Sequence, residues 1–146
     1  MDNTSDAQEG TPTPISDEGL RVLAAWVPML ASPDLDFGHW VISEPDEEGV
    51  MQMPWFDYGS DARRFMAEVS GAGFVQPFDW MAWMSTPEAR ALVADPSRIA
   101  KVDAEVLRRL LTAIIRGDRF MEGNVAGAFE SELLLAIARR AQALLG

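Results

Sequence analysis

The sequence predicts an α+β fold, predominantly helical: a single compact domain in which a small antiparallel β-hairpin stands beside a helical core. Three observations carry that expectation. Residues 104–116 and 125–145 place their apolar side chains at helical spacing. Residues 38–55 instead set short aromatic and β-branched runs on either side of an acidic segment, Glu44–Gly49, that also holds Pro45, which is hairpin chemistry. A chain of 146 residues with 48% hydrophobic content suits one domain, and at this length roughly 70% of the surface exposed by the unfolded chain is buried.

In chain order, residues 1–15 combine small polar and acidic residues with a Thr-Pro-Thr-Pro run and almost nothing to bury, so they read as a disordered acidic tail ahead of the domain at 16–146. Ser16 and Asp17 supply a helix start, followed by Leu20, Leu23, Trp26, Val27 and Leu30 at near-helical spacing. Pro28 should kink or end that helix, since it lacks a backbone donor and crowds the preceding turn. The two strands are expected at Gly38–Ser43 and Val50–Trp55. Ser60 opens a helix with Phe65, Met66 and Val69 inward, closed by Gly71-Ala72-Gly73, and Phe74–Gln76 forms a short third strand. Trp80 and Trp83, three apart, share one face of a helical turn. Thr86-Pro87, Asp95-Pro96 and Asp103 mark three further helix starts.

The helix at 104–116 sorts Val106, Leu107, Leu110, Leu111, Ile114 and Ile115 to one face and Glu105, Arg108, Arg109, Thr112 and Arg116 to the other. If it continued, Asp118 would rotate towards the apolar side and Phe120 away from it, so Gly117 is the expected stop. The apolar period resumes after Gly123. Arg116-Gly117-Asp118-Arg119-Phe120-Met121-Glu122-Gly123 is therefore an elbow between two core helices, with four charges placed where the core should be.

Two readings of that elbow follow. In one, Arg116 and Arg119 bind an anionic group while Asp118 or Glu122 orients it or acts as acid or base, with Asp79 and Trp80 completing the binding set. In the other, which is preferred because structural ion-pair networks imitate active sites, the same charges pair with one another and with loop carbonyls. This second reading predicts Arg116 and Arg119 at least partly buried and facing Asp79, Asp118 and Glu122, because unpaired buried charge is costly. Asp57 and Asp79, each between aromatics, need a donor or a shifted pKa.

No catalytic residue is assigned. Thr112 is the nearest hydroxyl upstream and has no histidine near it in sequence; His39 is the only histidine, and no nucleophile-elbow pattern accompanies it. Asp34-x-Asp36 resembles the start of a calcium loop, yet Gly38 falls where an oxygen ligand is required and no properly spaced glutamate follows, so neither metal nor cofactor is predicted. The lack of cysteine excludes disulfides, thiolate metal sites and a cysteine nucleophile.

The formal net charge of -11 is unevenly spread: residues 1–61 hold thirteen of the 23 acids against one base, Arg21, for a net of -12, while residues 62–146 come to +1. Such a surface disfavours nucleic acid, whose affinity comes largely from Lys and Arg on phosphates, and suits a soluble protein or one with a basic partner. Met1–Glu9 lacks a basic region followed by an apolar run, and no apolar stretch reaches spanning length, so a cytoplasmic protein without membrane attachment is expected.

Gly73-Phe74-Val75-Gln76-Pro77-Phe78-Asp79-Trp80 and the elbow motif Arg116-x-Asp118-Arg119-Phe120-x-Glu122-Gly123 are followed by Phe129-Glu130-Ser131 and a Leu-rich helix ending in Arg139-Arg140. In these the chain resembles a family of small uncharacterised bacterial and phage-borne domains, a domain of unknown function. The likeness covers roughly residues 17–145. It implies a single mixed domain dominated by helices and supplies no activity. One departure is Glu132, where the resemblance leads one to expect glycine, so the joint before the last helix should differ.

The function expected first is that of a cytoplasmic accessory or protein-binding domain without intrinsic catalysis, using the acidic front half and the aromatic cluster of Trp40, Trp55, Phe56, Tyr58, Phe78, Trp80 and Trp83. Two alternatives stand beside it. One is small-anion or nucleotide binding, with or without chemistry, at Arg116 and Arg119. The other is an acidic nucleic-acid mimic that blocks a basic protein, a role the phage-borne relatives suggest. The oligomeric state is left open.

Overall fold

The computed structural model describes residues 12–146. The chain begins with α1 (Asp17–Ala24), whose N-cap Ser16 accepts a hydrogen bond from the amide of Gly19 at 3.0 Å. Pro28 does not merely kink this helix. The chain breaks at Ala25–Trp26, and Pro28 falls in the first turn of α2 (Val27–Leu30), where a missing donor is harmless.

β1 (Gly38–Val41) and β2 (Trp55–Tyr58) pair antiparallel, with Gly38 opposite Tyr58 and Val41 opposite Trp55. The first strand lies where the sequence predicts it, but the second was expected at Val50–Trp55 and is displaced towards the C-terminus. Two restraints displace it. Pro54 cannot donate to a ladder, and the far end of β2 is tied down at the start of α3 (Ser60–Val69). There the Asp36 carboxylate accepts from the amide and hydroxyl of Ser60 at 3.2 and 3.3 Å, and Asp61 accepts from the Asp36 amide at 2.9 Å. Asp36 is thus a helix cap supplied from the β1 side, not the beginning of a calcium loop.

From α3 the chain passes through a π-turn, Ser70–Phe74, in which Gly73 takes φ +96°. The third strand expected at Phe74–Gln76 does not form. In place of a sheet partner, the Thr112 hydroxyl donates to the Phe74 carbonyl at 2.8 Å and accepts from the Gln76 amide at 3.2 Å. Then follow α4 (Trp80–Met84), α5 (Pro87–Ala94), a 3-10 turn (Pro96–Lys101), α6 (Ala104–Gly117), α7 (Asn124–Glu130) and α8 (Leu133–Leu144). Asp79, Thr86, Asp95 and Asp103 cap their elements, accepting from the amides of Ala82, Ala89, Ser97 and Val106. Caps of this kind are worth about 1 kcal/mol each.

The core lies where α1, α3, α6 and α8 meet, filled by Leu23, Trp26, Phe65, Phe74, Leu107, Leu110, Leu111, Leu134 and Ile137, all fully buried. Burial of side chains of this size stabilises by about 1.5–3 kcal/mol apiece. Trp26 meets Phe65 edge-on at 5.3 Å and donates its indole proton to Glu68 at 2.9 Å, so its one polar atom is satisfied. The expected tail falls, over residues 1–11, outside the described residues. Beyond them the Thr13 amide donates to the Gln76 side chain at 2.9 Å, and Ile15 packs against the core.

The polar face of α6 is a correction to the amphipathic reading. Arg108 and Thr112 are each only 1% exposed, because the segment from Phe74 to Trp83 covers that side of the helix as the core covers the other. Arg108 is held by Glu105 through bonds from Nε at 2.9 Å and Nη2 at 2.5 Å, and Phe78 lies 5.0 Å from its guanidinium. The hydrogen bonds from Arg108 hold the Glu105 carboxyl below the usual carboxylate range, against the opposing effect of burial.

At the joint before α8, Glu132 takes φ +67°, ψ +15°. This is a left-handed conformation that glycine adopts freely and that strains a residue with a side chain such as this glutamate.

Candidate functional site

The elbow is a tight turn. Gly117 ends α6, its carbonyl accepts from the amides of Phe120 and Met121 at 3.0 Å each, and the Asn124 side chain reaches back to the Ile114 carbonyl at 2.8 Å. A Cβ on Gly117 would lie 2.8 Å from that Asn124 amide nitrogen, so the residue that stops the helix also makes room for its cap. Gly123 closes the turn at φ +75° beneath the ring of Trp40, which would stand 2.6 Å from a Cβ there. Both constraints, left-handed backbone and close approach, favour glycine.

This turn sends its charges in two directions. Asp118 and Glu122 face the hairpin. Asp118 Oδ1 accepts from the Tyr58 hydroxyl at 2.7 Å and from the Val125 amide at 3.2 Å, and the same Tyr58 oxygen accepts from the Ala126 amide at 3.1 Å. Glu122 Oε2 accepts from the Phe56 amide at 2.8 Å. Burial, reinforced by the hydrogen bond to Asp118, pushes the Tyr58 phenol well above its ordinary value, so it remains a donor.

Arg116 and Arg119 face the other way. Together with Phe120 they form one wall of an open cleft of about 530 Å³, opposite Gln76, Pro77, Phe78, Asp79 and Trp80, with Thr112 at its base. That volume lies within the range of about 300–1,000 Å³ typical of small-molecule sites. The two segments singled out in the sequence, 73–80 and 116–123, thus meet across one cleft. Trp80 and Phe120 stand 6.0 Å apart with their planes tilted by 41°. Phe78 rests on both Arg108 and Arg109, at 5.0 and 5.9 Å.

The expected ion-pair network is overturned. Arg116 and Arg119 are exposed, and among the described residues neither pairs with a carboxylate. The reason is local geometry: the turn carries Asp118 and Glu122 to the side where neutral donors from β2 satisfy them. Asp79 is engaged as the cap of α4, accepting from Ala82 at 3.1 Å, and Asp57 lies 3.4 Å from Arg63. The six residues expected to form a binding set are therefore divided. Arg116, Arg119, Asp79 and Trp80 line the cleft; Asp118 and Glu122 hold the hairpin.

Sequence reasoning placed Phe78 only within the wider aromatic cluster and did not single out Gln76 or Phe120 as cleft residues, nor Tyr58 as the partner of Asp118. One signal was available: Arg108, Thr112 and Arg116 follow one another by four, a single stripe along α6 that leads to the turn carrying Arg119. Thr112 contributes no free hydroxyl, since both its hydrogen bonds are made to the 74–76 backbone. His39 stands on β1 opposite Asp57. Among the described residues no group of three His, Cys, Asp or Glu side chains is placed to hold a metal ion, and no helix is long and apolar enough to cross a membrane.

No curated protein and no solved structure matches the chain. A sequence model of a family of unknown function, DUF6508, matches residues 15–146.

Proposed function

The chain thus belongs to DUF6508, a family of unknown function, and we propose that it binds a small anionic ligand, a phosphate or carboxylate joined to a planar ring, in the cleft of Arg116 and Arg119. One observation carries this reading. Two arginines three residues apart project into a concave surface of ligand size and leave the nearby acids to other partners. Guanidinium groups present planar, bidentate donors suited to carboxylate and phosphate oxygens, and hydrogen bonds to charged groups are worth about 1.5–3 kcal/mol each. Trp80 and Phe120 offer aromatic faces beside them, and Phe120 is 70% exposed, which leaves its ring open to stacking. The cleft supplies cations and rings but no nucleophile paired with a base: Thr112 is committed to backbone and Asp79 to a helix cap. Binding without chemistry is the reading that fits these groups.

The test is calorimetric titration with inorganic phosphate and with a nucleoside monophosphate, on the wild type and on Arg116→Ala and Arg119→Ala. The monophosphate should bind more tightly than phosphate, and each substitution should weaken it about tenfold, the equivalent of about 1.4 kcal/mol. Both variants should keep wild-type stability to within about 0.5 kcal/mol, as exposed charges do. Absence of binding by the wild type at millimolar ligand, or affinity indifferent to both arginines, would remove the proposal.

A further inference from the structure

The hairpin extends well beyond its hydrogen-bonded ladder. Val41 faces Trp55 at the end of the ladder, and five residues further out on each side Asp46 faces Val50, with the Asp46 amide donating to the Val50 carbonyl at 2.9 Å. The register is therefore the same at the tip as at the base. The tip is built as a turn: Asp46 Oδ1 accepts from the amides of Glu48 and Val50, both at 2.9 Å, and Gly49 supplies φ +81°. Between tip and base, Pro45 and Pro54 interrupt the ladder because neither has an N–H to give. Residues 42–54 thus form an arm with a defined end whose flanks carry backbone groups unpaired across the hairpin.

Its side chains are of two kinds. Ile42, Val50, Met51, Met53 and Trp55 are exposed, Met53 at 85%, although none of them is needed to close the core. Glu44, Asp46, Glu47 and Glu48 crowd the tip, also exposed, and from residue 22 to residue 62 the chain has eight acids and no lysine or arginine. Large apolar side chains that stay in water, neighboured by charge of one sign, are the signature of a contact surface rather than of a solubilising loop. Methionine suits such a role, since its unbranched, polarisable side chain adapts to an irregular pocket.

We infer that the arm at residues 42–54 docks into a protein partner whose surface offers an apolar pocket ringed by lysine and arginine. Charge complementarity selects this occupant. Two copies meeting arm to arm would bring acidic tip against acidic tip, and an anionic membrane would repel the same four carboxylates. The inference does not depend on the arginine cleft, because Arg116 and Arg119 lie on the opposite side of the elbow from the hairpin.

The experiment selects random twelve-residue peptides displayed on phage against the intact protein, then measures the recovered sequences as synthetic peptides. Two variants serve as controls: Met51→Ser with Met53→Ser, and Glu44→Gln with Glu47→Gln and Glu48→Gln, sparing Asp46 because it holds the turn. Circular dichroism should show both folded, since every substituted side chain is exposed. The expected peptides combine lysine or arginine with an aromatic or aliphatic residue, bind at least tenfold more weakly to either variant, and lose affinity as salt rises. Recovery of no peptide that depends on the arm, or of peptides without basic residues, overturns the inference. So does methionine-dependent partition onto phosphatidylcholine vesicles, which gives the arm to a lipid surface, or methionine-dependent dimerisation in sedimentation, which gives it to a second copy.

Discussion

Tyr58→Phe removes a single oxygen from the joint between hairpin and elbow, and its cost can be worked from the contacts. The phenol donates to Asp118 at 2.7 Å and accepts from Ala126 at 3.1 Å. A hydrogen bond to a charged acceptor is worth about 1.5–3 kcal/mol and a neutral one about 1 kcal/mol. Not all of this is lost. Asp118 keeps the Val125 amide at 3.2 Å and sits at the N-terminal end of α7, where the first-turn amides favour negative charge. Tyr58 and Asp118 are also only partly buried, so water can replace the phenol in part. The expected loss is about 2 kcal/mol, below the roughly 3–5 kcal/mol that follows when a fully buried charge is stranded. Urea titration of the wild type, Tyr58→Phe, Asp118→Asn and the double variant measures it; the midpoint should fall without a change of slope, and the cycle should return a coupling of about 1–2 kcal/mol. A single variant within about 0.5 kcal/mol of wild type, or strict additivity in the cycle, would refute the claim that this bond fastens hairpin to elbow.

The same phenol gives a pH prediction, read directly because Tyr58 is the only tyrosine. Its folded pKa is raised above the unfolded value of about 10, so its contribution is complete below that pH and is lost as pH climbs past it. Tyrosinate absorbance should appear only together with unfolding, and a folded protein that ionises near pH 10 would contradict the hydrogen-bonded placement. At the last joint, Glu132→Gly should raise stability by about 0.5–1 kcal/mol, the relief of a left-handed non-glycine residue less the added freedom of the unfolded chain. A destabilised variant in thermal melts would mean that the glutamate side chain contributes there more than its backbone costs.

Local chemistry decided a good deal of this protein in advance. Helix starts at Ser16, Thr86, Asp95 and Asp103 form because a short polar side chain satisfies its own nearby amides, which requires nothing from the rest of the chain. The stop at Gly117 was legible for the same reason, as a break in periodicity within one helix. Segment 73–80 stood out through the family resemblance instead, and the fold sets it across one cleft from 116–123. What the sequence could not fix was the direction of each elbow charge. Arg116 and Arg119 lie within six residues of Asp118 and Glu122, and nearness in sequence favours pairing them; but Tyr58 and Phe56, some sixty residues earlier, deliver neutral donors to those carboxylates, and among the described residues the arginines pair with no carboxylate. The burial of Arg108 and the register of β2 have the same origin. Phe78 closes over one, and Asp36 and Pro54 bound the other, through contacts between residues far apart in sequence or between the hairpin and its neighbours. Periodicity and capping are short-range and were readable from the sequence, whereas the choice among competing partners for a charge or a strand is made only when the packed helices bring those partners within reach.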